Sequence, residues 1–300
     1  MTTRRHSGPV LEAVDGVGVV ACKTCGFKHV LPLPSPEELE QLYRDEYFQS
    51  EKPLYIDEYR EDADWWNLVY RERYETFESL LPPKRRRLLD VGSGPGRFVR
   101  AGLDRGWKAL GIEPSTHAAA ASRAELGIEV VEGFFGPELV STLPAADVVH
   151  LSEVLEHVPD PEETLIAARD ALAPDGLLCV VVPNDFSPIQ LALRSEGKAP
   201  WWVVPRHHLN YFDVASLPSL VSRCGFDIVS VETTFPIDVF LLMGDDYVGD
   251  PALGREVHAR RKQLELQLDR AGLSPLKRQV YRGLADAGLG REVLVVARKY

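Results

Sequence analysis

A glycine-rich turn behind an apolar segment is the first feature of this sequence that could take part in chemistry. Residues 85–107 read RRRLLDVGSGPGRFVRAGLDRGW, which predicts a buried strand from Leu88 to Val91, then a turn and a helix. In α/β proteins a turn of this kind holds a nucleotide against the N-terminus of the helix. We therefore expect a nucleotide-binding site at this turn.

The spacing of residues in the turn distinguishes between two kinds of nucleotide cofactor. The candidate ligand contacts are an aspartate, three glycines and a serine: Asp90, Gly92, Ser93, Gly94 and Gly96. A dinucleotide fingerprint, GxGxxG, would need its third glycine where this chain has Arg97. The carboxylate of Asp90 would repel a pyrophosphate but accept a hydrogen bond from an ammonium group. The turn thus favours a ligand with an amino-acid part and an adenosine part over NAD.

A second acidic residue lies one strand further along the chain. Glu113 ends the second predicted strand in the stretch GIEPS, where Pro114 follows it. An acidic side chain at this place can accept hydrogen bonds from both ribose hydroxyls, as it would for NAD too. A tight turn with a solvent-facing glutamate is the alternative that the sequence leaves open.

Three histidines are candidates for a general base. His157 lies in SEVLEHVPD, four residues after Glu153, so on a helical turn the two side chains would share a face. His207 and His208 lie in VPRHHLNYFD, in a loop after the fifth predicted core strand, where loops border the ligand cleft. Histidine suits proton removal near neutral pH. The alternative for His157 is that it caps a helix and takes no part in catalysis.

Residues around the histidine pair are candidates for binding an acceptor. They carry aromatic rings or polar groups: Trp201, Trp202, Arg206 and Tyr211. Adjacent tryptophans beside a cleft could stack on a sugar or an aromatic ring, and the arginine and tyrosine could bind an acidic or polyhydroxylated molecule. Docking of the loop against the rest of the fold is an equally good explanation of the tryptophans.

Two cysteines near the N-terminus have metal-ligand spacing. Cys22 and Cys25 in VACKTCGFKHV look like one zinc knuckle, but a structural zinc site needs four ligands. His6 or His29 could complete the set, although the sequence does not show it. A degenerate knuckle held by packing is favoured over structural zinc, and a catalytic thiol is a third alternative.

The elements that must position these residues alternate along the chain. Continuous apolar stretches, among them RLLDVG, DVVHLSE and GLLCVVVPN, alternate with helical patterns. Such alternation predicts a parallel sheet covered by helices on both faces. We expect a small β-rich ribbon over 1–35, a helical lid or linker over 36–84, a core over 85–236 completed by 290–300, and an insertion over 237–289 that caps the site or forms a dimer contact.

Composition and charge narrow the function classes. The 300 residues are 45% hydrophobic and 26% charged, as in an ordinary globular chain, and the net charge is −11. This charge argues against nucleic acid or an anionic membrane as the main partner. No apolar run is long enough for a membrane span and no signal peptide is evident. The cysteines suit a reducing compartment, so a cytoplasmic protein is expected.

Three stretches together give the chain a resemblance to a known family. LLDVGSGPG, GIEPS and DVVHLSEVLEHVPDPEETLIAARDALAPDGLLCVVVPN resemble the motifs of class I S-adenosylmethionine-dependent methyltransferases. The resemblance covers residues 85–235 densely. It implies a Rossmann-like, seven-stranded α/β sheet of order 3-2-1-4-5-7-6, with only the last strand antiparallel. The sequence contains seven strand candidates.

The resemblance also implies roles for individual residues. Asp90, Gly92 and Gly94 would hold the methionine part, and Glu113 would hold the ribose. Where the family has a polar residue against the adenine, this chain has the segment Gly133, Phe134 and Phe135, which implies stacking and backbone contacts. Ser152 and Glu153 would face the sulfonium. His208, Leu209 and Phe212 match a HLxxF element of small-molecule methyltransferases.

The sequence therefore predicts methyl transfer from S-adenosylmethionine to a small molecule, a sugar or sugar nucleotide, at oxygen, nitrogen or carbon. An NAD-dependent oxidoreductase or epimerase, or a non-catalytic cofactor-binding subunit of a methyltransferase pair, are the alternatives. A homodimer is one expected assembly.

Overall fold

The computed structural model describes residues 6–14, 16–35, 38–39 and 61–300. Its eleven strands among these residues are β1 (Val10–Val14), β2 (Val17–Ala21), β3 (Lys28–Leu31), β4 (Arg87–Val91), β5 (Lys108–Glu113), β6 (Val130–Glu132), β7 (Ala146–Ser152), β8 (Leu172–Pro183), β9 (Asn210–Tyr211), β10 (Phe226–Thr233) and β11 (Glu292–Lys299).

The helices of the described residues are α1 (Ala63–Leu80), α2 (Arg97–Asp104), α3 (Thr116–Leu126), α4 (Pro137–Val140), α5 (Pro161–Ala171), α6 (Pro188–Ser195), α7 (Ser216–Arg223), α8 (Val239–Leu242), α9 (Pro251–Arg270) and α10 (Ser274–Asp286). Sequence signals set several of the helix starts. The side chain of Ser115 caps α3, and Ser187 with Gln190 forms a capping box at α6.

Seven strands form the central sheet, in the order β10-β11-β8-β7-β4-β5-β6. Counted along the core, with β4 as the first strand and β11 as the seventh, this is the order 3-2-1-4-5-7-6. β11 runs antiparallel to both of its neighbours, whereas the pairs from β8 to β6 are parallel. The fold class and strand order that the resemblance implied are confirmed.

The sheet is buried on both faces because its central strands are apolar almost throughout. In β8 the stretch from Gly176 to Pro183 is buried, and alternate side chains belong to two hydrophobic clusters on opposite faces. Aromatic residues of α1, including Tyr74 and Phe77, pack on one face with Phe98 and Trp107. These aromatic rings therefore form part of the core.

A second, four-stranded sheet has the order β1-β2-β3-β9. Its first three strands come from the N-terminal residues, while β9 comes from the segment with the histidine pair. Lys28 and His29 of β3 pair with Tyr211 and Asn210 of β9. The N-terminal ribbon is thereby attached to the segment that the sequence singled out for acceptor binding.

The predicted insertion between β10 and β11 contains α8, α9 and α10. Helix α9 packs against α1 and α10, and α10 packs against β10. Of the predicted lid over 36–84, only residues 38–39 and those from 61 onward belong to the described part. Within that part of the chain no helix is both long enough and apolar enough to cross a bilayer. The division into domains remains a prediction.

Candidate active site

A cavity of about 480 Å³ opens at the carboxyl ends of β4, β5 and β7. This volume is typical of sites for small molecules and cofactors. Its polar lining includes Glu113, Glu153, His157, Asp160 and Glu163. The rest is mostly apolar or glycine: Leu39, Val91, Gly92, Ile112, Pro114, Gly133, Phe134, Phe135, Gly136, Pro137, Val154, Val158, Pro159 and Thr164.

The glycine turn wraps around the end of β5. The backbone N–H groups of Gly92 and Ser93 both donate to the carbonyl of Ile112, at 2.8 and 3.1 Å. Gly92 has a φ of 68°, and a Cβ atom there would lie 2.7 Å from Cγ2 of Val154. Only glycine meets both demands without strain, and its missing side chain leaves the cavity wall open to a ligand.

Glu113 lies at the floor of the cavity and is only 4% exposed. Its Oε2 accepts from the N–H of Gly94 at 2.8 Å, and its Oε1 accepts from the N–H of Ser115 at 2.9 Å. Burial raises the pKa of Glu113 to about 7, although these two hydrogen bonds lower it. Each carboxylate oxygen keeps a lone pair for a further donor such as a ribose hydroxyl.

Asp90, the first residue of the predicted motif, lies beneath the cavity rather than in its lining. Nδ1 of buried His150 donates to Oδ1 of Asp90 at 2.7 Å, and Nη1 of Arg73 donates to Nε2 of His150 at 3.1 Å. Burial lowers the pKa of His150, which keeps the ring neutral and able to accept from the arginine. Asp90 therefore takes part in a buried polar chain that also reaches Ser152.

The predicted cofactor residues fall into two groups. One group lines the cavity: Gly92, Glu113, Pro114, Gly133, Phe134, Phe135 and Glu153. The other group lies outside the cavity lining: Asp90, Ser93, Gly94, Gly96 and Ser152. Gly96 is in the left-handed conformation and starts α2, as the turn requires.

The lining of the cavity suits S-adenosylmethionine in charge and composition. Phe134 is 45% exposed and offers an aromatic face for stacking. The carboxylates of the lining complement a ligand that carries an ammonium and a sulfonium.

Of the three candidate bases, His157 is the one that lines the cavity. Its Nδ1 donates to the carbonyl oxygen of His207 at 2.8 Å. This bond places the proton of the neutral ring on Nδ1 and leaves Nε2 as the acceptor. Of the three candidates, His157 is thus the histidine that borders the cavity and whose tautomer a backbone carbonyl sets.

His207 and His208 stand behind His157, in residues 204–211, which we call the histidine loop. The rings of His157 and His208 make an edge-to-face contact with centroids 5.0 Å apart. The N–H groups of Leu209 and Asn210 both donate to the carbonyl of Glu156, at 2.7 and 3.0 Å. The histidine loop is therefore attached by its backbone to the segment that carries His157.

Glu156 is a buried acid beside His157 and His208. It is 1% exposed, and its Oε1 lies 3.7 Å from Nε2 of His157. Burial, followed by the charge of nearby Glu153, raises the pKa of Glu156 well above its usual range. At this distance the charge states of the imidazole and the carboxyl group influence each other.

The four predicted acceptor contacts lie outside the cavity lining. Trp202 is 2% exposed and Tyr211 fully buried, and both pack in the apolar cluster between the ribbon and the histidine loop. Trp201 packs against the same cluster, whereas Arg206 is exposed. The packing of the tryptophans corresponds to loop docking, the alternative that the sequence left open.

The two knuckle cysteines are joined by two histidines in a group that we call the ribbon cluster: His6, Cys22, Cys25 and His29. Burial would raise the pKa of the Cys22 thiol. Hydrogen bonds from the Cys25 backbone, from both histidine rings and from the Ser7 backbone outweigh it and lower the pKa to about 5. Cys22 is therefore a thiolate at neutral pH.

Sequence reasoning missed several residues of the site. His150, Arg73 and Glu156 were not identified, although each is a polar residue that the fold buries next to a predicted one. A polar side chain inside an apolar strand, as in DVVHLSE, was the available signal for His150. For Arg73, on α1 and far away in the chain, no local signal exists.

The sheet has the strand order of class I S-adenosylmethionine-dependent methyltransferases, and a buried glutamate lies at the end of its second core strand. The chain belongs to the family described as "Methyltransferase domain", whose model matches residues 60–231. The match removes the oxidoreductase alternative, and S-adenosylmethionine is the cofactor of this class.

Individual relatives are more distant. The chain is 25% identical to the C-methyltransferase NovU of Streptomyces niveus over 74% of this chain and 49% of that protein. It is 32% identical to trans-aconitate 2-methyltransferase of Mycobacterium tuberculosis, over 42% of this chain and 48% of that protein. The chain thus spans about half the length of these curated relatives.

Among solved structures, an S-adenosylmethionine-dependent methyltransferase from Archaeoglobus fulgidus superposes with a TM-score of 0.50. The two chains are 17% identical, and the match covers 78% of this chain and 94% of that one. This likeness shows the fold.

Proposed function

We propose that this protein transfers the methyl group of S-adenosylmethionine to a neutral polyhydroxylated small molecule of the sugar type, with His157 as the general base. The observation that carries the proposal is the position of His157. It lines the same cavity as Glu113, and its tautomer is fixed by the carbonyl of His207.

Three parts of the cavity would hold the cofactor. The Glu113 carboxylate would accept from the ribose hydroxyls, and the turn at Gly92 would lie against the methionine part. Phe134 and Phe135 would contact the adenine ring. When bound, the cofactor supplies an electrophilic methyl group for in-line displacement, so the protein mainly supplies alignment and excludes water.

The histidine would remove the proton that an oxygen or carbon acceptor must lose. Nε2 of His157 accepts this proton, because Nδ1 already donates to a backbone carbonyl. The nearby Glu156 would then ionise more readily, since an imidazolium 3.7 Å away stabilises a carboxylate. The name of the C-methyltransferase relative adds support for a carbon acceptor.

The charge of the cavity argues against an anionic acceptor. Four carboxylates line it, and no lysine or arginine does so within the described ranges. A polycarboxylate such as trans-aconitate, named for one relative, would be repelled by this lining. For the same reason a sugar ring fits the cavity better than the diphosphate of a sugar nucleotide.

A methyl-transfer assay with methyl-labelled S-adenosylmethionine tests the proposal. Neutral sugars, amino sugars, sugar nucleotides and polycarboxylates are offered to the purified chain, with Glu113→Gln as the cofactor-site control. We expect labelling of a sugar-type acceptor by the chain alone. Labelling of polycarboxylates only would contradict the acceptor class, and turnover only after a partner protein is added would favour the non-catalytic subunit.

A further inference from the structure

The ribbon cluster has the composition and geometry of a tetrahedral metal site. Its four potential ligand atoms, two sulfurs and two imidazole nitrogens, all lie within 4.8 Å of one another. From the usual zinc–ligand lengths, a tetrahedral ion separates two nitrogens by roughly 3.3 Å and a nitrogen from a sulfur by roughly 3.6 Å. The corresponding separations here are close to both values.

The measured separations involve Nδ1 of His6. It lies 3.1 Å from Nε2 of His29, 3.3 Å from Sγ of Cys25 and 3.8 Å from Sγ of Cys22. The two imidazole rings meet edge to face, at 86°. Two nitrogens and two sulfurs therefore lie close enough together to share one ion.

The backbone and the surrounding hydrogen bonds prepare the ligands. Nδ1 of His29 donates to the carbonyl of Val30 at 2.9 Å, so a ring that gives up its other proton on metal binding presents the lone pair of Nε2 to the cluster. A metal-binding histidine usually donates the N–H of its other ring nitrogen in this way, which fixes the orientation of the ring. The turn between the cysteines closes when Gly26, with a φ of 77°, donates to the carbonyl of Cys22.

We propose that the ribbon cluster binds one structural Zn²⁺ ion. The ion fastens the residues before β1, through His6, to β3 and, through β3, positions the histidine loop. Two thiolates balance the charge of the ion, and any thiol proton is released to solvent on binding. This ligand set differs from the expectation of an incomplete knuckle, because both histidines come from outside the CxxC turn.

The route from the metal to the histidine loop is short. His29 lies in β3 opposite Asn210 of β9, and the N–H of Val30 donates to the carbonyl of Leu209. The side chain of Asn210 donates in turn to the carbonyls of Leu155 and Val158, on either side of the segment with His157. Loss of the ion would loosen β3 and, with it, the histidine loop.

Metal analysis of protein purified without chelator tests the site directly. We expect close to one equivalent of zinc in the native chain and loss of zinc from Cys25→Ser and His6→Ala. Cys224→Ser is the matched control, because Cys224, like Cys25, forms no disulfide bond but lies outside the cluster. Less than about 0.2 equivalents in the native chain, or unchanged zinc in Cys25→Ser, would overturn the proposal.

The test must distinguish the ribbon cluster from a second group of side chains. Glu156, His157 and His208 also lie close enough together to hold a metal. His157→Gln should therefore retain the zinc. If zinc were lost from this variant and from none of the ribbon-cluster variants, the ion would be bound at Glu156, His157 and His208, and the proposal would be wrong. If the cluster variants fail to fold, titration of stripped wild-type chain with Co²⁺ should give a thiolate-to-cobalt charge-transfer band, and its absence would be equally adverse.

Hydrogen exchange tests the positioning role without any assay of activity. After chelation, the amides of Leu209 and Asn210 should exchange at least ~10-fold faster, because both depend on the docked histidine loop. The amides of β8 serve as the internal reference and should not change. Unchanged exchange at Leu209 and Asn210 in zinc-free protein would refute the link to the histidine loop. The result does not depend on which acceptor the protein methylates.

Discussion

The two sides of the cavity are built in different ways. Apart from Glu153, the cofactor side comes from one stretch, residues 88–135, where a glycine turn and Glu113 follow neighbouring parallel strands. The acceptor side is assembled from segments that are distant in sequence, which meet where the histidine loop docks on Glu156 and on β3. Local sequence therefore specifies the cofactor side, whereas tertiary packing specifies the acceptor side.

The difference predicts that damage to one side leaves the other intact. His157→Gln should lower turnover about 100-fold or more, because the base is lost. Its affinity for S-adenosylhomocysteine should change less than about twofold, since Glu113 and the glycine turn are untouched. Kinetics and calorimetric titration measure the two effects.

His117→Gln is the matched control, because His117 is exposed and lies outside the cavity lining. We expect His208→Gln, which removes a ring that packs on His157, to have a smaller effect than His157→Gln. Equal turnover in His157→Gln and the native chain would remove His157 from the mechanism, and a larger loss in His208→Gln would make His208 the base.

Gly92→Ala should damage the cofactor side. The new Cβ meets the side chain of Val154 at 2.7 Å in a left-handed backbone conformation, so the turn or Val154 must move. We expect the affinity for S-adenosylhomocysteine to fall roughly 10-fold, with a stability loss of about 1–2 kcal/mol.

Gly106→Ala separates strain from collision, because Gly106 has a similar φ of 82° but no neighbour within 4 Å of the new Cβ. Its free energy of unfolding should fall by a similar amount because of backbone strain, while its affinity for S-adenosylhomocysteine stays unchanged. If both variants bind the ligand like the native chain, the turn is not part of the cofactor site.

The pH dependence of ligand affinity should report Glu113. Ribose hydroxyls donate to the ionised carboxylate, and burial holds its pKa near 7 in the free protein. Binding therefore releases a proton, and affinity should weaken about 10-fold as pH falls from 8 to 6. Glu113→Gln should flatten this profile. A native profile with no slope near pH 7 would contradict the assignment.

The smallest effect is expected at the junction between the ribbon and the core. Nζ of Lys28 lies 2.6 Å from the Asp213 carboxylate, and both side chains are partly exposed. Lys28→Ala should lower the free energy of unfolding by about 1 kcal/mol or less, and added salt should shrink the difference. Denaturant unfolding at two salt concentrations measures it, and a much larger loss would mean that this ion pair holds the ribbon in place.

The comparison also explains how much the sequence could predict. Alternating apolar strands and helical patterns gave the sheet, and the motif around Asp90 together with Glu113 located the cofactor side. The sequence could not rank the three histidines, because His157 and His207 meet only through the docking of a loop 50 residues away. It likewise could not bring His6 and His29 to the cysteines, since this needs the folded ribbon.

The same division between local sequence and tertiary packing applies to individual side chains. Trp202 was a reasonable acceptor contact from its place in a loop, yet it is buried against Phe186 in the packing of that loop. Asp90 matches the motif, but the chain through His150 to Arg73 depends on contacts across the sheet. Motifs indicate which residues matter, whereas burial decides what each side chain touches.

Calorimetric titration with S-adenosylhomocysteine and, separately, with NAD tests the central claim most directly, that the cavity above Glu113 is a methyl-donor site. The native chain should bind S-adenosylhomocysteine at micromolar concentration and bind no NAD. Glu113→Gln should weaken the binding at least ~10-fold, because an amide cannot accept from the backbone and from ribose through both of its terminal atoms. Binding of NAD without S-adenosylhomocysteine, or identical affinities in both chains, would contradict the account.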